Sequence, residues 1–413
     1  MLSKLPEPTD GEPLEWAPDG KLIVPYHPII PFIDGDGVGP EITAAMQHIV
    51  DAAVDRAYGG ARKIAWFKIY AGEEALEEYS EHLPRDTIAA LEKYLVGIKG
   101  PLATPVGGEL RSINFTLRNL LDLYQCIRPC AYIPGTPSPA KHPERMNVVI
   151  FRENTEDVYN GLEWQEGSDE AEKLRAFLRE ELNATIPDDA GIGIKEISEY
   201  KTKRLVRAAI EYAIKNNLPG VAFMHKGNIM KFTEGNFNKW AYEVALDEYR
   251  DQVITEKEVR ESVDPDIARG KIVIKDRIAD NMLYQVLIAP EEFSVIATPN
   301  LNGDYLSDVC AAQIGGLGMA PSANKGDKCA LFEAAHGTAP DIAGKGIVNP
   351  TSLILSACMM LEHLGWDDAS TIIRAAVQKT IEAGTVPSDL AKMLEGATSL
   401  STMEYANAIV ENL

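Results

Sequence analysis

The sequence has no hydrophobic run long enough to cross a membrane, and its first residues lack the apolar core of a secretion signal. Basic residues are also scarce: 40 Lys and Arg stand against 62 Asp and Glu, which gives a formal net charge of −22. Binding to nucleic acid or to an anionic membrane surface needs clustered basic residues, so this deficit argues against both partners. We therefore expect a cytoplasmic protein with no nucleic-acid and no membrane partner.

Cysteine is rare as well. The five cysteines are an odd number and form no Cys-x-x-Cys pair, which predicts free thiols in a reducing compartment and not a disulfide framework. The chain has 413 residues, of which 45% are hydrophobic and 25% charged, as is ordinary for a soluble globular enzyme with two or more domains.

A polar stretch from Asn300 to Gly318 is the densest group of chemistry-bearing residues in the chain. It follows an apolar run, Phe293 to Ala297, that is typical of a buried strand. Asn302 and Gly303 predict a tight turn that leads into a helix. The stretch therefore predicts a strand, a turn and a helix in succession.

Two aspartates of this stretch, Asp304 and Asp308, are four residues apart and would share one face of a helix. Their carboxylates repel each other, and a hard divalent cation such as Mg²⁺ or Mn²⁺ offsets that repulsion well. Asp280 is a candidate third oxygen ligand. The alternative is a helix-capping Asp beside a solvated Asp, since Asp is common at helix starts.

Arginines form a second candidate site. A Gly- and Pro-rich loop at 99–108 precedes Ser112 and Asn114, either of which could cap a helix near Phe115. Three arginines follow among turns, and the arginine fork grips a carboxylate with two hydrogen bonds. Such a group of arginines predicts an anion-binding pocket with a locally positive potential in a protein whose net charge is negative. The alternative is that they are solvated surface residues, as scattered arginines usually are. These arginines are Arg118, Arg128 and Arg152.

Strands alternate with helices along the first hundred residues, which predicts an α/β fold. The turn after strand Ile29–Ile33 has glycines at 35, 37 and 39, so it lacks the Gly-x-Gly-x-x-Gly spacing of the dinucleotide fingerprint. Lys226 follows a predicted strand, Val221–His225. A lysine at the carboxyl end of such a strand is well placed for chemistry, while the alternative is an ordinary surface lysine.

The run from Asn300 to Leu317 resembles the signature of the β-decarboxylating dehydrogenases of 2-hydroxy acids, the isocitrate/isopropylmalate dehydrogenase family. The resemblance extends from Ile30 to about Leu413 and is closest to the dimeric bacterial members that oxidise isocitrate. It implies the three-layer α/β/α fold of isopropylmalate dehydrogenase, which is not a Rossmann fold. The implied parts are a large α/β domain (1–123 and 315–413), a small α/β domain (124–156 and 200–314) and a dimer clasp (157–199).

The resemblance also implies the reaction, which is the metal-dependent oxidative decarboxylation of isocitrate to 2-oxoglutarate and CO₂ in the tricarboxylic acid cycle. Tyr159 and Lys226 match catalytic residues, and Tyr159 matches the general acid. Ser112 and Asn114 match the pair that meets the third carboxylate, so they favour isocitrate over homoisocitrate. Isopropylmalate enzymes need an apolar surface there. The remaining ligands implied are Arg118, Arg128 and Arg152 for the substrate, and Asp280, Asp304 and Asp308 for Mg²⁺ or Mn²⁺.

An acidic amphipathic segment, Asp169–Leu182, and a following Gly/Ile stretch, Gly191–Ile197, resemble the family's intersubunit clasp. The resemblance implies a homodimer in which Lys226 and Asp280 reach the active site of the other subunit. The alternative is a surface insertion with no partner. Ser112 also matches a serine that is phosphorylated in some bacterial relatives, which makes it a candidate site for a regulatory kinase.

The loop Glu333–Gly344 resembles the family's adenosine-binding loop. NADP-dependent members have Lys-Tyr where this chain has Asp341-Ile342, Tyr and Arg at Ser388 and Lys392, and often Arg at Ala289. Those groups hold the 2′-phosphate, and Asp341 would repel it, so we predict NAD; only Lys392 favours NADP. The implied cofactor contacts are Thr104, His336, Gly337, Ala339, Asp341, Ile342, Asn349 and Asp389.

Three alternatives stay open. The first is the same reaction with NADP, and the second is a homoisocitrate or isopropylmalate type of substrate. The third, from a different class, is a non-catalytic acidic metal-binding protein. That protein would need neither arginines beside its aspartates nor the Tyr159 and Lys226 pair.

Overall fold

The computed structural model describes residues 4–104 and 112–413, so part of the Gly- and Pro-rich loop lies outside the described residues. The strands are β1 (Glu15–Trp16), β2 (Leu22–Ile23), β3 (Ile29–Ile33), β4 (Ala65–Lys68), β5 (Val96–Lys99), β6 (Gln125–Ala131), β7 (Asn147–Glu153), β8 (Glu163–Trp164), β9 (Ile192–Gly193), β10 (Gly220–His225), β11 (Val253–Thr255), β12 (Ile272–Ile278), β13 (Val295–Thr298), β14 (Pro321–Lys325), β15 (Ala330–Ala334), β16 (Thr385–Pro387) and β17 (Thr398–Leu400).

The helices are α1 (Gly39–Tyr58), α2 (Glu73–Tyr79), α3 (Arg85–Tyr94), α4 (Ile113–Leu120), α5 (Asp169–Leu182), α6 (Glu199–Lys215), α7 (Glu234–Glu248), α8 (Glu256–Glu261), α9 (Ala279–Ile288), α10 (Asn300–Gln313), α11 (Thr351–His363), α12 (Asp367–Glu382), α13 (Ser388–Ala391) and α14 (Thr402–Asn412). Short 3-10 turns lie at Pro143–Arg145, Asp157–Asn160, Pro290–Glu292, Leu317–Met319 and Pro340–Ile342.

One eleven-stranded sheet organises the chain, in the order β11-β12-β10-β13-β7-β6-β14-β15-β5-β3-β4. Its two flanks are parallel, and the pairs β7–β6, β6–β14 and β14–β15 at its centre are antiparallel. Parallel strands need crossover connections, and here helices supply most of them. Strands β10 and β13 are buried along their whole length, as expected for strands covered on both faces. The predicted α/β fold is confirmed, and the structure shows that it is built on a large central sheet.

Helix α1 shows how local sequence determines one covering layer. Pro40 lies in its first turn, where backbone N–H groups have no partner within the helix, so the N–H that proline lacks costs no hydrogen bond. Gly59 ends the helix with a φ of 57°. Its buried stripe includes Ile42, Met46 and Ile49, at helical spacing. Helices α11, α12 and α14 pack against α1, and α11 also lies on β5, β14 and β15. The C-terminal segment thus returns to cover the flank that the N-terminal strands form.

The predicted domains remain a prediction. The ranges assigned to the large domain supply β3, β4, β5, β14 and β15, and those assigned to the small domain supply the opposite flank from β6 to β11. The proposed boundary therefore falls between two neighbouring strands of one continuous sheet. Within the predicted clasp, β8 pairs with β9 in a separate two-stranded sheet.

The turn predicted at Asn302 and Gly303 is wrong, because both residues lie inside the first turn of α10, which begins at Asn300. The Asn300 side chain donates to the Glu156 carbonyl oxygen at 2.9 Å, which ties the start of the helix to that residue. Gly303 is needed for packing. A Cβ there would lie 2.6 Å from the Cβ and Cγ of Arg152.

All five cysteines are buried free thiols. In the described part of the chain, no helix combines the length and apolar character needed to cross a bilayer.

Candidate active site

A cleft of about 400 Å³ opens between the centre of the sheet and the loops after β5 and β15. It brings together ten of the residues predicted from the sequence, although these come from distant parts of the chain. They are Thr104, Ser112, Asn114, Arg118, Arg128, Arg152, Tyr159, Asp304, His336 and Gly337.

The three predicted arginines are buried in this cleft, Arg118 at 8%, Arg128 at 5% and Arg152 at 1% exposure. Arg128 Nη1 donates to Ser307 Oγ at 2.6 Å. Among the described residues, the Nε groups of Arg118 and Arg128 are buried without any hydrogen-bond partner. A buried donor without an acceptor is unfavourable, so the pocket is chemically incomplete and suits an anionic ligand.

Arg152, Tyr159 and Asp304 form the wall of the cleft nearest α10. Arg152 donates to the Asp304 carboxylate and, through Nε, to Asn300 Oδ1 at 2.8 Å. Tyr159 Oη donates to Asp304 Oδ2 at 2.8 Å. Burial, together with the Asp304 charge, raises the pKa of Tyr159 to about 12, although Arg152 opposes the shift. The phenol therefore keeps its proton at neutral pH, as a general acid must.

A buried ion cluster beneath the arginines was missed by the sequence analysis. Glu333 Oε2 lies 2.6 Å from Lys99 Nζ, its Oε1 accepts from Arg118 Nη2 at 2.7 Å, and Asn324 donates to it at 2.8 Å. Burial opposes ionisation of Glu333, but Lys99 and Arg118 lower its pKa far below the usual value. The only signal in the sequence was a charged residue inside each of two apolar strands, β5 and β15.

The opposite wall carries the predicted pair for the third carboxylate. Ser112 caps α4, since its Oγ accepts from the Phe115 N–H at 3.3 Å, and Thr104 Oγ1 lies 3.3 Å from the same hydroxyl. Asn114 donates to the Leu102 carbonyl at 3.3 Å, while its Oδ1 is buried without a partner in the described structure. The cap confirms one local expectation and leaves both polar groups at the cleft.

His336 and Gly337 continue the cleft towards the loop predicted to bind adenosine. His336 Nδ1 lies 2.8 Å from the Gly337 carbonyl, so Nδ1 carries the proton. Its Nε2 is then an acceptor, and it is buried without a partner among the described residues. Burial lowers the pKa of His336 and keeps the ring neutral. A neutral ring with a free acceptor fits the amino group and the face of an adenine.

The other predicted cofactor contacts lie outside the cleft, along the loop that follows it. Ala339 has a φ of 40° and precedes the 3-10 turn that contains Asp341 and Ile342. Asp341 is exposed and Ile342 is half-buried. Asn349 donates to Asp389 Oδ2 at 3.1 Å, which places α13 beside this loop.

Lys226 and Asp280 lie apart from the cleft and pair with each other. Asp308 shares a face of α10 with Asp304, and Arg128 lies 3.7 Å from Asp304 and 3.9 Å from Asp308. No group of three Asp, Glu, His or Cys side chains in the described chain is arranged to hold a metal. The oxygen donors of Asp304 and Asp308 fit a hard cation, and completing the site requires a further ligand.

Fold and site together define an α/β protein whose cleft contains buried arginines, suited to an anionic ligand, beside an acidic helix face. Residues 29–409 match the isocitrate/isopropylmalate dehydrogenase family, and the chain belongs to that family.

Several relatives support this assignment. The chain is 52% identical over 413 residues to isocitrate dehydrogenase (NADP) from Archaeoglobus fulgidus, which covers 100% of this chain and 99% of the relative. It is 50% identical over 421 residues to the protein of the same name from Helicobacter pylori, with 99% and 98% covered. The crystal structure of isocitrate dehydrogenase from Methylococcus capsulatus superposes with a TM-score of 0.78 at 37% identity, covering 93% of this chain and 99% of that chain.

The prediction of NAD is wrong, because the relatives from A. fulgidus, H. pylori and Pseudomonas aeruginosa are all named for NADP. It rested on the absence of the lysine and tyrosines that NADP-dependent members have at Asp341, Ile342 and Ser388, and on repulsion of the 2′-phosphate by Asp341. Two ammonium groups nevertheless lie in this region. Lys345 Nζ donates to the Asp341 carbonyl at 2.7 Å, and Lys392 ends α13. Neither lysine has a carboxylate partner in the described structure. The prediction weighed Lys392 in favour of NADP but did not consider Lys345.

Proposed function

We propose that the protein catalyses the metal-dependent oxidative decarboxylation of isocitrate to 2-oxoglutarate and CO₂ with NADP as the oxidant. The observation that carries this proposal is the set of three buried arginines beside Ser112 and Asn114, with unpartnered polar atoms in an otherwise acidic protein. Such a pocket suits a small molecule with several carboxylates. The names of relatives at about 50% identity support both the substrate and the cofactor.

We assign binding and proton-transfer roles in the reaction to residues of this chain. Arg118, Arg128 and Arg152 bind and orient the carboxylates, and burial strengthens their attraction by excluding water. Tyr159 holds a proton at Oη, ready for transfer to the carbon that loses CO₂. Lys226 and an aspartate, Asp304 or Asp280, assist removal of the hydroxyl proton.

Two groups from outside the chain complete the chemistry. Asp304 and Asp308, with Asp280 of a second subunit, would hold Mg²⁺ or Mn²⁺, which supplies Lewis-acid stabilisation of negative charge on the substrate oxygen. NADP supplies the hydride acceptor. His336 would accept from its adenine, and the ammonium groups of Lys345 and Lys392 fit the extra charge of the 2′-phosphate.

We propose that the active form is a homodimer with shared sites. Exposed apolar side chains on α9 support this: Tyr284 is 58%, Leu287 54% and Ile288 55% exposed, and Asp280 lies on the same helix face. Contiguous exposed apolar surface of this kind marks an interaction site. We expect light scattering to give twice the 45.2 kDa chain mass, and a mass of one chain would contradict the dimer.

The test of the reaction is absorbance at 340 nm with isocitrate and Mg²⁺, at equal subsaturating concentrations of NADP or NAD. We expect faster reduction of NADP. Faster reduction of NAD would overturn the cofactor assignment. Homoisocitrate and isopropylmalate serve as comparison substrates, and turnover of either one without turnover of isocitrate would overturn the substrate assignment.

Regulation at Ser112 follows from the same site. We propose that phosphorylation of this hydroxyl by a kinase blocks the cleft, because a phosphate carries a charge of about −1.5 to −2 at pH 7 and repels a substrate carboxylate. Phosphorylated protein is then expected to lose isocitrate binding, which calorimetry would measure directly.

A further inference from the structure

The turn after β10 is held by a side chain that the reaction does not use. Glu234 is the first residue of α7 and is fully buried, at 0% exposure. Its Oε2 accepts the backbone N–H of Lys226 at 2.5 Å and the side-chain amide of Asn302 at 2.8 Å. One carboxylate oxygen therefore joins the backbone of the proposed catalytic lysine to the first turn of α10.

The second oxygen of Glu234 is paired with a cation from the predicted clasp. Lys195 Nζ lies 3.1 Å from Glu234 Oε1 and also contacts the buried Asp157 carboxylate. Asp157 Oδ2 in turn accepts the Leu301 N–H at 3.0 Å, again at the start of α10. A buried carboxylate is favourable only with such partners, so the position of Glu234 is determined from three sides.

The next residue of the turn is held in the same way. His225 Nδ1 accepts the Gly227 N–H at 3.0 Å, so the ring proton is on Nε2, which donates to Asp276 Oδ2 at 3.2 Å. Gly227 also packs closely, since a Cβ there would lie 2.6 Å from the Cα of Gly235. Two consecutive backbone N–H groups are thus bound by side chains and not by other backbone groups.

We propose that Glu234 is a positioning residue for Lys226: its carboxylate fixes the backbone of the turn so that the ammonium group reaches the reacting substrate. The inference rests on the proposed function. An acidic residue at a helix start normally faces solvent and the helix's own N–H groups. Glu234 instead accepts hydrogen bonds from outside its helix, and one of them comes from the backbone N–H of Lys226, whose side chain takes part in the proposed chemistry.

The test is a double-mutant cycle on the purified full-length protein, with isocitrate, Mg²⁺ and NADP. We expect Glu234→Ala to lower kcat roughly 10- to 100-fold while KM for isocitrate changes less than about threefold, because misplacement by about 1 Å is enough for such a loss. In the Lys226→Met background, the same change is expected to lower the residual kcat less than about twofold, since residues that act as a unit are non-additive.

The conservative variant separates positioning from stability. Glu234→Gln keeps an oxygen for the Lys226 N–H but loses the ion pair with Lys195. We therefore expect a lower melting temperature with kcat kept within about threefold, as only the stabilising charge is removed. If kcat fell in parallel with the melting temperature in both Glu234→Ala and Glu234→Gln, the loss of activity would reflect stability alone, and the proposal would be overturned.

A second position tests the same turn if Glu234→Ala does not fold. Asp276 accepts from both His225 Nε2 and Tyr242 Oη, at 3.2 and 2.8 Å, and Asp276→Asn offers only one oxygen to these two donors. We expect a severalfold lower kcat that is again absent in the Lys226→Met background. Equal effects in both backgrounds would contradict a role through Lys226.

Glu153 provides a matched control. It is 1% exposed and accepts the N–H groups of Thr155 and Glu156, both at 2.9 Å, but it does not contact the turn after β10. Any effect of Glu153→Gln on kcat is expected to be the same with Lys226 present or replaced. Wild-type protein that does not oxidise isocitrate would refute the proposed function, whereas an active wild type with an additive Glu234 cycle would refute only this inference.

Discussion

Arg128 lies where the anion pocket meets the two aspartates of α10. Its guanidinium donates to Ser307 and lies within 4 Å of Asp304 and Asp308. Burial opposes its charge, but electrostatic attraction from neighbouring groups, these carboxylates among them, holds its pKa above the usual value. The side chain is thus a permanent, desolvated cation, the condition under which a guanidinium binds a carboxylate most strongly.

We predict that Arg128→Lys raises KM for isocitrate roughly 10- to 100-fold, because a charged hydrogen bond contributes about 1.5–3 kcal/mol and 1.4 kcal/mol is a factor of ten. Steady-state kinetics with varied isocitrate would measure this. Arg145→Lys is the control, since that arginine is 46% exposed and its ion pair with Glu291 lies outside the cleft. An unchanged KM in Arg128→Lys would remove Arg128 from the substrate site.

At the residue scale, contacts between neighbours in the sequence could be predicted, whereas contacts between distant residues could not. The cap at Ser112 was predictable, because it depends on the next three residues of the chain. The contact of Glu333 with Lys99 was not, since it depends on the pairing of β15 with β5. Gly303 was predicted to be a turn residue, because the sequence does not distinguish a glycine in a turn from a glycine that makes room for a distant side chain, here Arg152.

At the scale of elements, local sequence patterns predicted individual strands and helices well. Strand β3 and helix α5 have the predicted bounds, since both are marked by an abrupt change in apolar pattern. The order of strands in the sheet could not be read in this way. Antiparallel β6 and β14 at the centre bring Arg128 and Asn324 towards residues from both flanks, and no local pattern encodes that pairing.

The junction of β7 with the predicted clasp contains a carboxyl group that is poorly suited to its charge. Glu156 is buried and accepts the Ser198 N–H at 3.0 Å and the Ser198 hydroxyl at 2.7 Å. Burial, and then the nearby Glu153, raise its pKa from 4.5 to about 7. A raised carboxyl pKa means that the folded state binds this proton more tightly than the unfolded state does.

Between pH 4.5 and about 7 the folded state holds the proton and the unfolded state has lost it, so stability from this group falls as pH rises. Above pH 7 the penalty is complete, at roughly 3 kcal/mol by linkage. We predict that Glu156→Gln raises the melting temperature relative to wild type more at pH 8 than at pH 5. A difference that is equal at both pH values would contradict the raised pKa of Glu156.

At the scale of the whole molecule, the predicted site divides into two parts. Ten predicted residues meet in one cleft, whereas Lys226 and Asp280 lie outside it and Asp280 lies on the exposed face of α9. A single chain therefore contains the proposed substrate-binding residues in its cleft, while the proposed catalytic lysine and third metal ligand lie outside that cleft. A shared site in a two-fold symmetric dimer requires this division, because each subunit contributes to its partner's site the same residues that it receives from the partner.

Mixing two strongly impaired variants tests that arrangement. In Lys226→Met every site lacks the lysine, and in Asp304→Asn every site lacks the aspartate, so each homodimer is expected to keep only a small residual activity. If Lys226 acts in the other subunit's site, a mixed dimer has one intact site and one doubly defective site. Random exchange makes about half of the dimers mixed, so the pool is expected to recover about a quarter of wild-type activity.

The mixing experiment needs only controlled subunit exchange, for instance by mild denaturation and refolding, followed by the assay at 340 nm. Each variant treated alone is the control and is expected to keep only its residual activity. If both residues instead served the same subunit's site, every site in a mixed dimer would carry one defect and no activity would return. Recovered activity would therefore locate Lys226 across the interface, because a mixed dimer can contain an intact site only when the two residues come from different chains.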